Sequence, residues 1–152
     1  HTNDAPSSIT RLIDMGVPSY LVASSVVAIM AQRLVRVVCQ KCKEPHNPSE
    51  SLLQYVGITP EVAAKANFMV GKGCNHCQGS GFRGRTAIFE LMIMSPRLRE
   101  LTFQGAPSTM LRRTAIAEGM KTLFQDGMAK VFKGITTIEE VLRVARPTED
   151  EV

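Results

Sequence analysis

The 152-residue sequence predicts a mainly α fold of the α+β class, in which a few short antiparallel strands accompany a helical domain. Apolar residues recur at helical spacing over most of the chain, and several of these stretches carry recognisable cap residues. Short runs rich in β-branched residues occur beside two cysteine pairs and predict the strands. A chain of this length buries about 68–70% of its unfolded surface, which is enough to form a core.

The first 38 residues are predicted to be helical and to end in a strand. The stretch "NDAPSSITRLIDMG" predicts a short helix that is capped by Asp4 and ended by Gly16. Pro18 then opens an uncharged helix that we expect to continue to about Val35, and "VRVV" predicts a strand. The uncharged run is long enough to suggest a membrane span, but its Gly, Pro, Ser and Gln residues favour a helix buried against other protein.

The later elements are predicted from cap residues and from their apolar pattern. Two short helices are expected near Leu52 and Pro60, followed by a weak strand, "NFMVGKG", and by the clearest strand, "RGRTAIFELMIM". Four helices follow, of which the first has Ser95 as its N-cap and the last has a capping box of Thr137 with Glu140. The predicted parts are a first segment with the long helix (1–38), a cysteine lobe (39–82), a strand with a helical bundle (83–146) and a disordered tail (147–152).

Composition and charge narrow the possible functions. The net charge is +4, but no run of five Lys or Arg residues occurs, and aromatic residues make up only 5% of the chain. A protein that binds nucleic acid by stacking and by a basic stripe is therefore disfavoured. The sequence shows no signal peptide and begins with His1, so we expect it to be a piece of a longer protein.

All four cysteines fall into two pairs, Cys39-x-x-Cys42 and Cys74-x-x-Cys77. Four thiolates satisfy tetrahedral zinc without leaving a position for substrate, so we predict a closed, structural zinc site that holds the ends of the 43–73 excursion. Disulfides and a redox role are weaker alternatives, because nothing indicates secretion or a thioredoxin-like setting.

Other side chains near the cysteines are expected to support the site rather than to bind the metal. His46 and His76 are predicted bystanders, because four cysteines already complete the coordination sphere. Cations near the site favour the thiolate form of cysteine. The cations close to the cysteines in sequence are Lys41, Lys43, Lys72, Arg83 and Arg85.

The second cysteine pair matches a chaperone motif only once. The stretch "CNHCQGSG" fits the CxxCxGxG unit of the DnaJ zinc domain, but that family uses four such units. The other pair, "CQKCKEPH", lacks both glycines. The DnaJ interpretation therefore fails.

A second resemblance covers nearly the whole chain. The stretches "HTNDA", "RLIDMG", "AQRLVRVVCQKC" and "CNHCQGSGFRGRTAIFEL" occur in the order found in the C-terminal part of the GspE/PilB family. These are the ATPases of type II secretion and type IV pilus assembly, and the tetracysteine element resembles that of the secretion and pilus-extension members.

The resemblance implies a bacterial hexameric motor that lies in the cytoplasm, peripheral to the inner membrane, and uses ATP with Mg²⁺ to assemble pilins or pseudopilins. Its implied partners are its own upstream ATPase and N-terminal domains, the neighbouring subunits and an inner-membrane platform protein, with no nucleic acid.

The resemblance also implies roles for two residues. His1 would belong to the family's His box, beside the nucleotide phosphates, and would be a catalytic residue. Arg33 lies in the family's "QRL" segment and is expected either in a structural ion pair or in contact with nucleotide or a neighbouring subunit. The sequence contains no GxxxxGK[ST], so we expect the chain alone not to hydrolyse ATP. The alternatives from other classes are a zinc ribbon that binds nucleic acid and a structural adaptor.

Overall fold

The computed structural model describes residues 3–148. Of these residues, 46% are helical and 20% lie in strands, which form two small antiparallel sheets, so the predicted mainly α, α+β class is confirmed. His1 and most of the predicted tail (147–152) lie outside the described residues. In chain order the elements are α1 (Ala5–Asp14), α2 (Ser19–Ser25), β1 (Ala28–Val38), β2 (Lys43–Pro45), α3 (Glu50–Tyr55), α4 (Pro60–Lys65), β3 (Met69–Gly71), a 3₁₀ turn (Asn75–Cys77), β4 (Phe82–Ile93), α5 (Pro96–Phe103), α6 (Ser108–Ala117), α7 (Leu123–Phe132) and α8 (Ile138–Val144).

The long helix predicted from Pro18 to about Val35 is wrong. α2 ends at Ser25, the next residue, Val26, has extended backbone angles, and β1 begins at Ala28. Exposed and less exposed residues alternate along β1, because the strand buries one of its sides. The apolar residues of this run fit both a helical and an alternating pattern, and pairing with β4 decides between them. Within the part of the chain that is described, no helix is both long and apolar enough to cross a membrane.

One compact unit, unit 1, consists of Phe89–Leu123 and the described part of His1–Gln32. It contains α1, α2, α5 and α6, and α2 packs against α5 while α1 packs against α6. Its buried core is formed by apolar side chains from these helices and from the end of β4. The core residues are Ala5, Ile9, Val22, Met92, Met94, Leu98, Leu101, Leu111, Ala115 and Met120.

A buried carboxylate fixes the beginning of α1 on β4. Glu90 is 1% exposed, and its two oxygens accept hydrogen bonds from the backbone N–H of Ala5, at 2.8 Å, and of Leu123, at 3.1 Å. Burial raises the pKa of Glu90, against the opposing effect of these two hydrogen bonds. Asp4 caps α1, as predicted, and forms an ion pair with Arg112 of α6. Two acidic side chains, Glu90 and Asp4, therefore fix the N-terminal end of α1 in unit 1.

Unit 2 consists of Arg33–Ile88 and the described part of Phe124–Val152. Its small sheet pairs β2 with β3 in antiparallel register, Glu44 opposite Val70. The core lies between the short helices of the cysteine lobe and the last two helices of the chain. Its buried residues are Val56, Phe68, Phe124, Met128, Val131, Ile138 and Val141.

The side chain of Glu140 connects α8 to β1 within unit 2. It is almost fully buried and accepts hydrogen bonds from the backbone N of Arg36 at 2.9 Å, from its Nη2 at 2.6 Å, and from Nη2 of Arg143 at 3.2 Å. The Arg36 guanidinium also lies 4.3 Å from the centre of the Phe82 ring. Thr137 caps α8, as predicted. Burial raises the pKa of Glu140, but the hydrogen bonds from the two arginines outweigh it and lower the pKa to about 2.

We expect Glu140→Gln to reduce the acid sensitivity of the fold. A carboxyl whose pKa is lowered by folding stabilises the protein above its ordinary pKa of 4.5, and this contribution is lost as the pH falls toward 2. The shift from 4.5 to about 2 corresponds to about 3 kcal/mol of unfolding free energy. Urea unfolding at pH 6 and pH 3 should show Glu140→Gln less stable than the wild type at pH 6, with a smaller loss on acidification.

Glu139→Gln is the matched control, because Glu139 is exposed on the same helix. Acid acts on other groups too, so the quantity to compare is the difference between the variants. Equal pH dependence in both variants would show that the Glu140 ion pair contributes nothing.

Candidate metal centre

The two Cys-x-x-Cys pairs lie on two tight turns at the base of the cysteine lobe. Cys39 follows β1 and Cys42 directly precedes β2, whereas Cys74 lies just after β3 and Cys77 ends the 3₁₀ turn before β4. Because β2 pairs with β3, the turn that precedes β2 and the turn that follows β3 meet at the same end of this small sheet. The segment 43–73, between Cys42 and Cys74, therefore begins and ends at the two cysteine turns.

The four sulfur atoms form a compact group. The Sγ–Sγ distances are 3.9 Å for Cys39 and Cys74, 3.8 Å for Cys42 and Cys77, and 3.8 Å for Cys74 and Cys77, and all four atoms lie within 4.8 Å of one another. A tetrahedral zinc ion with Zn–S bonds of about 2.3 Å requires edges of about 3.8 Å between its sulfur ligands. The four cysteines thus fit a closed tetrathiolate metal site, and all four are free thiols rather than disulfides.

Backbone N–H groups point at the sulfurs. Gly73 N lies 3.3 Å from Cys42 Sγ, while Cys74 N and Gly81 N lie 3.2 Å and 3.3 Å from Cys77 Sγ. Burial raises the pKa of Cys77, but the N–H groups of Cys74 and Gly81 and the thiols of Cys74 and Cys42 outweigh it and lower the pKa to about 6. Burial and the three neighbouring thiols raise the pKa of Cys42 to about 12, against the opposing effect of the Gly73 N–H group. Four thiolates so close together repel one another, and a divalent cation at their centre removes that repulsion.

Glycines allow the backbones on either side of the site to approach. A Cβ atom on Gly71 would lie 1.9 Å from the carbonyl oxygen of Gly81, and one on Gly73 would lie 2.8 Å from that of Gly79. Gly81 also has φ +76°, a conformation that other residues adopt at a cost. The two glycines of the CxxCxGxG spacing are therefore explained by packing, since Gly79 and Gly81 lie against Gly73 and Gly71 of "GKG".

The other predicted site residues lie apart from the sulfurs or outside the described range. Among the described residues that offer metal ligands, the group at this site contains the four cysteines and neither His46 nor His76. Arg83 Nη1 donates to the backbone oxygen of His76 at 2.6 Å, so it supports the second turn. Arg33 is half-buried on β1 rather than on a helix, and its role stays a prediction. His1 lies outside residues 3–148.

The chain is similar to known proteins over nearly its full length. The family model described as "Type II/IV secretion system protein" matches residues 1–143. The chain is 42% identical over 146 residues to the type II secretion system protein E of Pseudomonas aeruginosa, which covers 96% of this chain and 28% of that protein. It is 40% identical to the type IV pilus assembly ATPases PilB of Thermus thermophilus and of Myxococcus xanthus, covering 93% and 97% of this chain and 16% and 26% of those proteins. The chain thus spans less than a third of the length of these relatives.

Proposed function

We propose that the chain, which belongs to the type II/IV secretion system protein family, is the C-terminal part of a hexameric motor ATPase. The parent protein would use ATP and Mg²⁺ to drive the assembly of pilins or pseudopilins. It would act in the bacterial cytoplasm at the inner membrane, together with neighbouring subunits and a membrane platform protein. Relatives named for type II secretion and for type IV pilus assembly match this chain at 42% and 40% identity. The proposal therefore covers both type II secretion and type IV pilus extension.

The observation that carries the proposal is the extent of the family match. Residues 1–143 include "HTNDA", the "QRL" segment and both cysteine pairs, so the match does not depend on a metal-binding motif alone. A zinc ribbon that binds nucleic acid would share the cysteine pairs but not the other two segments. The similarity of these segments to proteins named as pilus assembly ATPases therefore favours the motor.

Within such a motor, the cysteine site would have a structural role. Four cysteine ligands fill a tetrahedral zinc ion and leave no position for water or substrate, so catalysis at the metal is excluded. Zinc would hold the lobe on its two turns, with Cys39, Cys42, Cys74 and Cys77 as ligands. The phosphates of ATP would bind to a P-loop elsewhere in the parent, since the sequence here contains none. His1 would lie near those phosphates, and Arg33 would contact the nucleotide, a neighbouring subunit or an acidic side chain.

We expect the purified 152-residue chain to release no phosphate from ATP above a heat-denatured control. Positioning of the phosphates and of Mg²⁺ supplies most of the catalysis in phosphoryl transfer, and the chain has no loop to hold them. The whole gene product should hydrolyse ATP, and deletion of the region that encodes this chain should abolish that activity. Phosphate release by the chain alone, or by neither protein, would contradict the proposal.

The same deletion in the host separates the two systems. Loss of surface pili would assign the motor to pilus extension, and retention of a normally exported protein inside the cell would assign it to type II secretion. If both were unaffected and the purified chain shifted labelled DNA or RNA in a salt-dependent way, the nucleic-acid alternative would replace the motor.

A further inference from the structure

We propose that the four cysteines form a reversible switch, in which hydrogen peroxide joins Cys42 to Cys77 by a disulfide and so makes the site release its zinc. The inference rests on the proposed function in one respect, because it takes zinc as the ion at the four sulfurs. It concerns regulation of the site and not catalysis at it, so the metal-bound form keeps its closed, structural role.

The four sulfurs differ in their access to solvent. Cys39 and Cys77 are 0% and 5% exposed, whereas Cys42 and Cys74 are partly exposed. Each turn therefore presents one sulfur to a small oxidant and buries the other. A bound divalent ion keeps all four sulfurs deprotonated, and exposed thiolates are the ones that peroxides oxidise first.

Cys42 is the better target of the two partly exposed sulfurs. Lys41 and Lys43 are exposed and lie on either side of Cys42 in sequence. Their positive charges stabilise the hydroxide ion that leaves the peroxide as its O–O bond breaks. The neighbours of Cys74 in the chain are uncharged, so oxidation begins at Cys42.

A buried sulfur lies close to Cys42 on the opposite turn. The Sγ atoms of Cys42 and Cys77 are 3.8 Å apart, and those of Cys74 and Cys39 are 3.9 Å apart. Each of these pairs joins an exposed sulfur to a buried one across the two turns. A reactive cysteine beside a resolving cysteine is the arrangement found in redox sensors. A disulfide has an S–S bond of about 2.05 Å, so each sulfur of a pair has to move by only about 1 Å.

The reaction takes two electrons from the sulfurs. The Cys42 thiolate attacks one oxygen of the peroxide, the O–O bond breaks, and a sulfenic acid and a hydroxide ion form. The Cys77 thiolate then attacks the Cys42 sulfur, the S–S bond forms, and a second hydroxide ion leaves. The peroxide is thereby reduced to two hydroxide ions. Only two thiolate ligands remain, fewer than tetrahedral zinc requires, so the site releases the ion.

A bridge between the two turns makes the oxidation reversible. Cys42 directly precedes the 43–73 segment and Cys77 follows it closely, so the bridge keeps the ends of this segment together without the metal. The N–H groups of Gly73 and Gly81, which point at the sulfurs of Cys42 and Cys77, lose only their charged acceptors. Reduction of the bridge by a dithiol therefore returns four thiolates that can bind zinc again.

Peroxide treatment of the whole gene product tests the proposal. Released zinc is measured with a chromogenic chelator, and disulfides are mapped by mass spectrometry of peptides after free thiols have been blocked. We expect one zinc released per chain and a Cys42–Cys77 bridge as the first disulfide at the site, both reversed by a dithiol with added zinc. Any other first disulfide, such as Cys39–Cys42 within one turn, would overturn the proposal, as would oxidation to sulfinic acids without a disulfide.

Protease sensitivity separates the bridge from simple loss of the metal. At equal zinc loss, and after the oxidant has been removed, the peroxide-treated protein should be cleaved within 43–73 at least several-fold more slowly than the chelated protein. The reason is that the bridge still ties the two turns, whereas chelation leaves them untied. Equal rates of cleavage would contradict the proposal.

Histidine variants identify the reacting sulfur while they keep four ligands, because structural zinc sites also form from three cysteines and one histidine. Cys39→His, which keeps the Cys42–Cys77 pair, should release zinc to peroxide several-fold faster than Cys42→His, which lacks the exposed sulfur of that pair. Equal rates in the two variants would contradict the proposal. If either variant fails to bind zinc, the disulfide map of the wild type decides.

Oxidation of the site and ATP hydrolysis fail independently. A gene product that releases zinc and forms the Cys42–Cys77 bridge but hydrolyses no ATP would retain the switch and lose the proposed motor. A gene product that hydrolyses ATP but contains no zinc, or forms a different first disulfide, would retain the motor and lose the switch.

Discussion

Removal of the metal, or replacement of Cys39 and Cys74 by serine, is expected to unfold the cysteine lobe. α3 and α4 are six residues each and neither contains a buried residue, so the lobe packs on α7 and α8 mainly through Val56 and Phe68. Zinc contributes about 10–16 kcal/mol to the folding of zinc-finger peptides, far more than packing of this extent supplies. We expect one zinc per chain by elemental analysis, and rapid proteolysis within 43–73 after chelation or in the double serine variant.

Matched histidine variants separate the ligands from their neighbours. His46→Ala and His76→Ala should keep one zinc per chain and a protease-resistant lobe, because neither residue belongs to the group of potential ligands. A protein that contains no metal, has four reactive thiols and yet resists cleavage between 43 and 73 would show that packing alone holds the lobe. Loss of zinc in a histidine variant would require a different ligand set.

Features that depend on neighbouring residues could be predicted from the sequence. Asp4, Ser95 and Thr137 cap the helices they were expected to cap, because a cap requires only its own side chain and the N–H three residues later. The two cysteine pairs were predicted to meet for a similar reason, since their spacing is that of metal-binding turns. Local geometry alone specifies the caps and each cysteine turn, whereas the pairing of β2 with β3 brings the two turns together.

Features that depend on distant residues could not be predicted in this way. The run from Val26 onward fits a helix and a strand equally well, and only pairing with β4, more than fifty residues later in the chain, decides for the strand. The sequence predicts a capping box completed by Glu140, but the Glu140 carboxylate binds Arg36, 104 residues away in sequence. Sequence patterns record which residues are apolar or charged, and not which of them the tertiary fold brings together.

Gly71→Ala is expected to disrupt the same lobe without removing a ligand. Its Cβ atom would lie 1.9 Å from the carbonyl oxygen of Gly81, and the obstacle is backbone rather than a side chain that can rotate away. Overpacking in ordinary cores costs about 1–3 kcal/mol, and we expect the upper part of that range or more here. Urea unfolding should report this loss, and a zinc competition assay should show weaker binding, because Gly81 N also donates to Cys77 Sγ.

Gly79→Ala is the control that isolates the steric effect. Gly79 lies in the same turn with φ +76°, but a Cβ atom there would meet nothing within 4 Å, so alanine would cost only the strain of a left-handed conformation. That strain is about 1–2 kcal/mol, which is less than the loss expected for Gly71→Ala. If the two variants lost equal stability, the approach of the Gly71 and Gly81 backbones would not limit the lobe. The glycines of this motif would then matter for their turn conformations alone, and zinc affinity would fall equally in both variants.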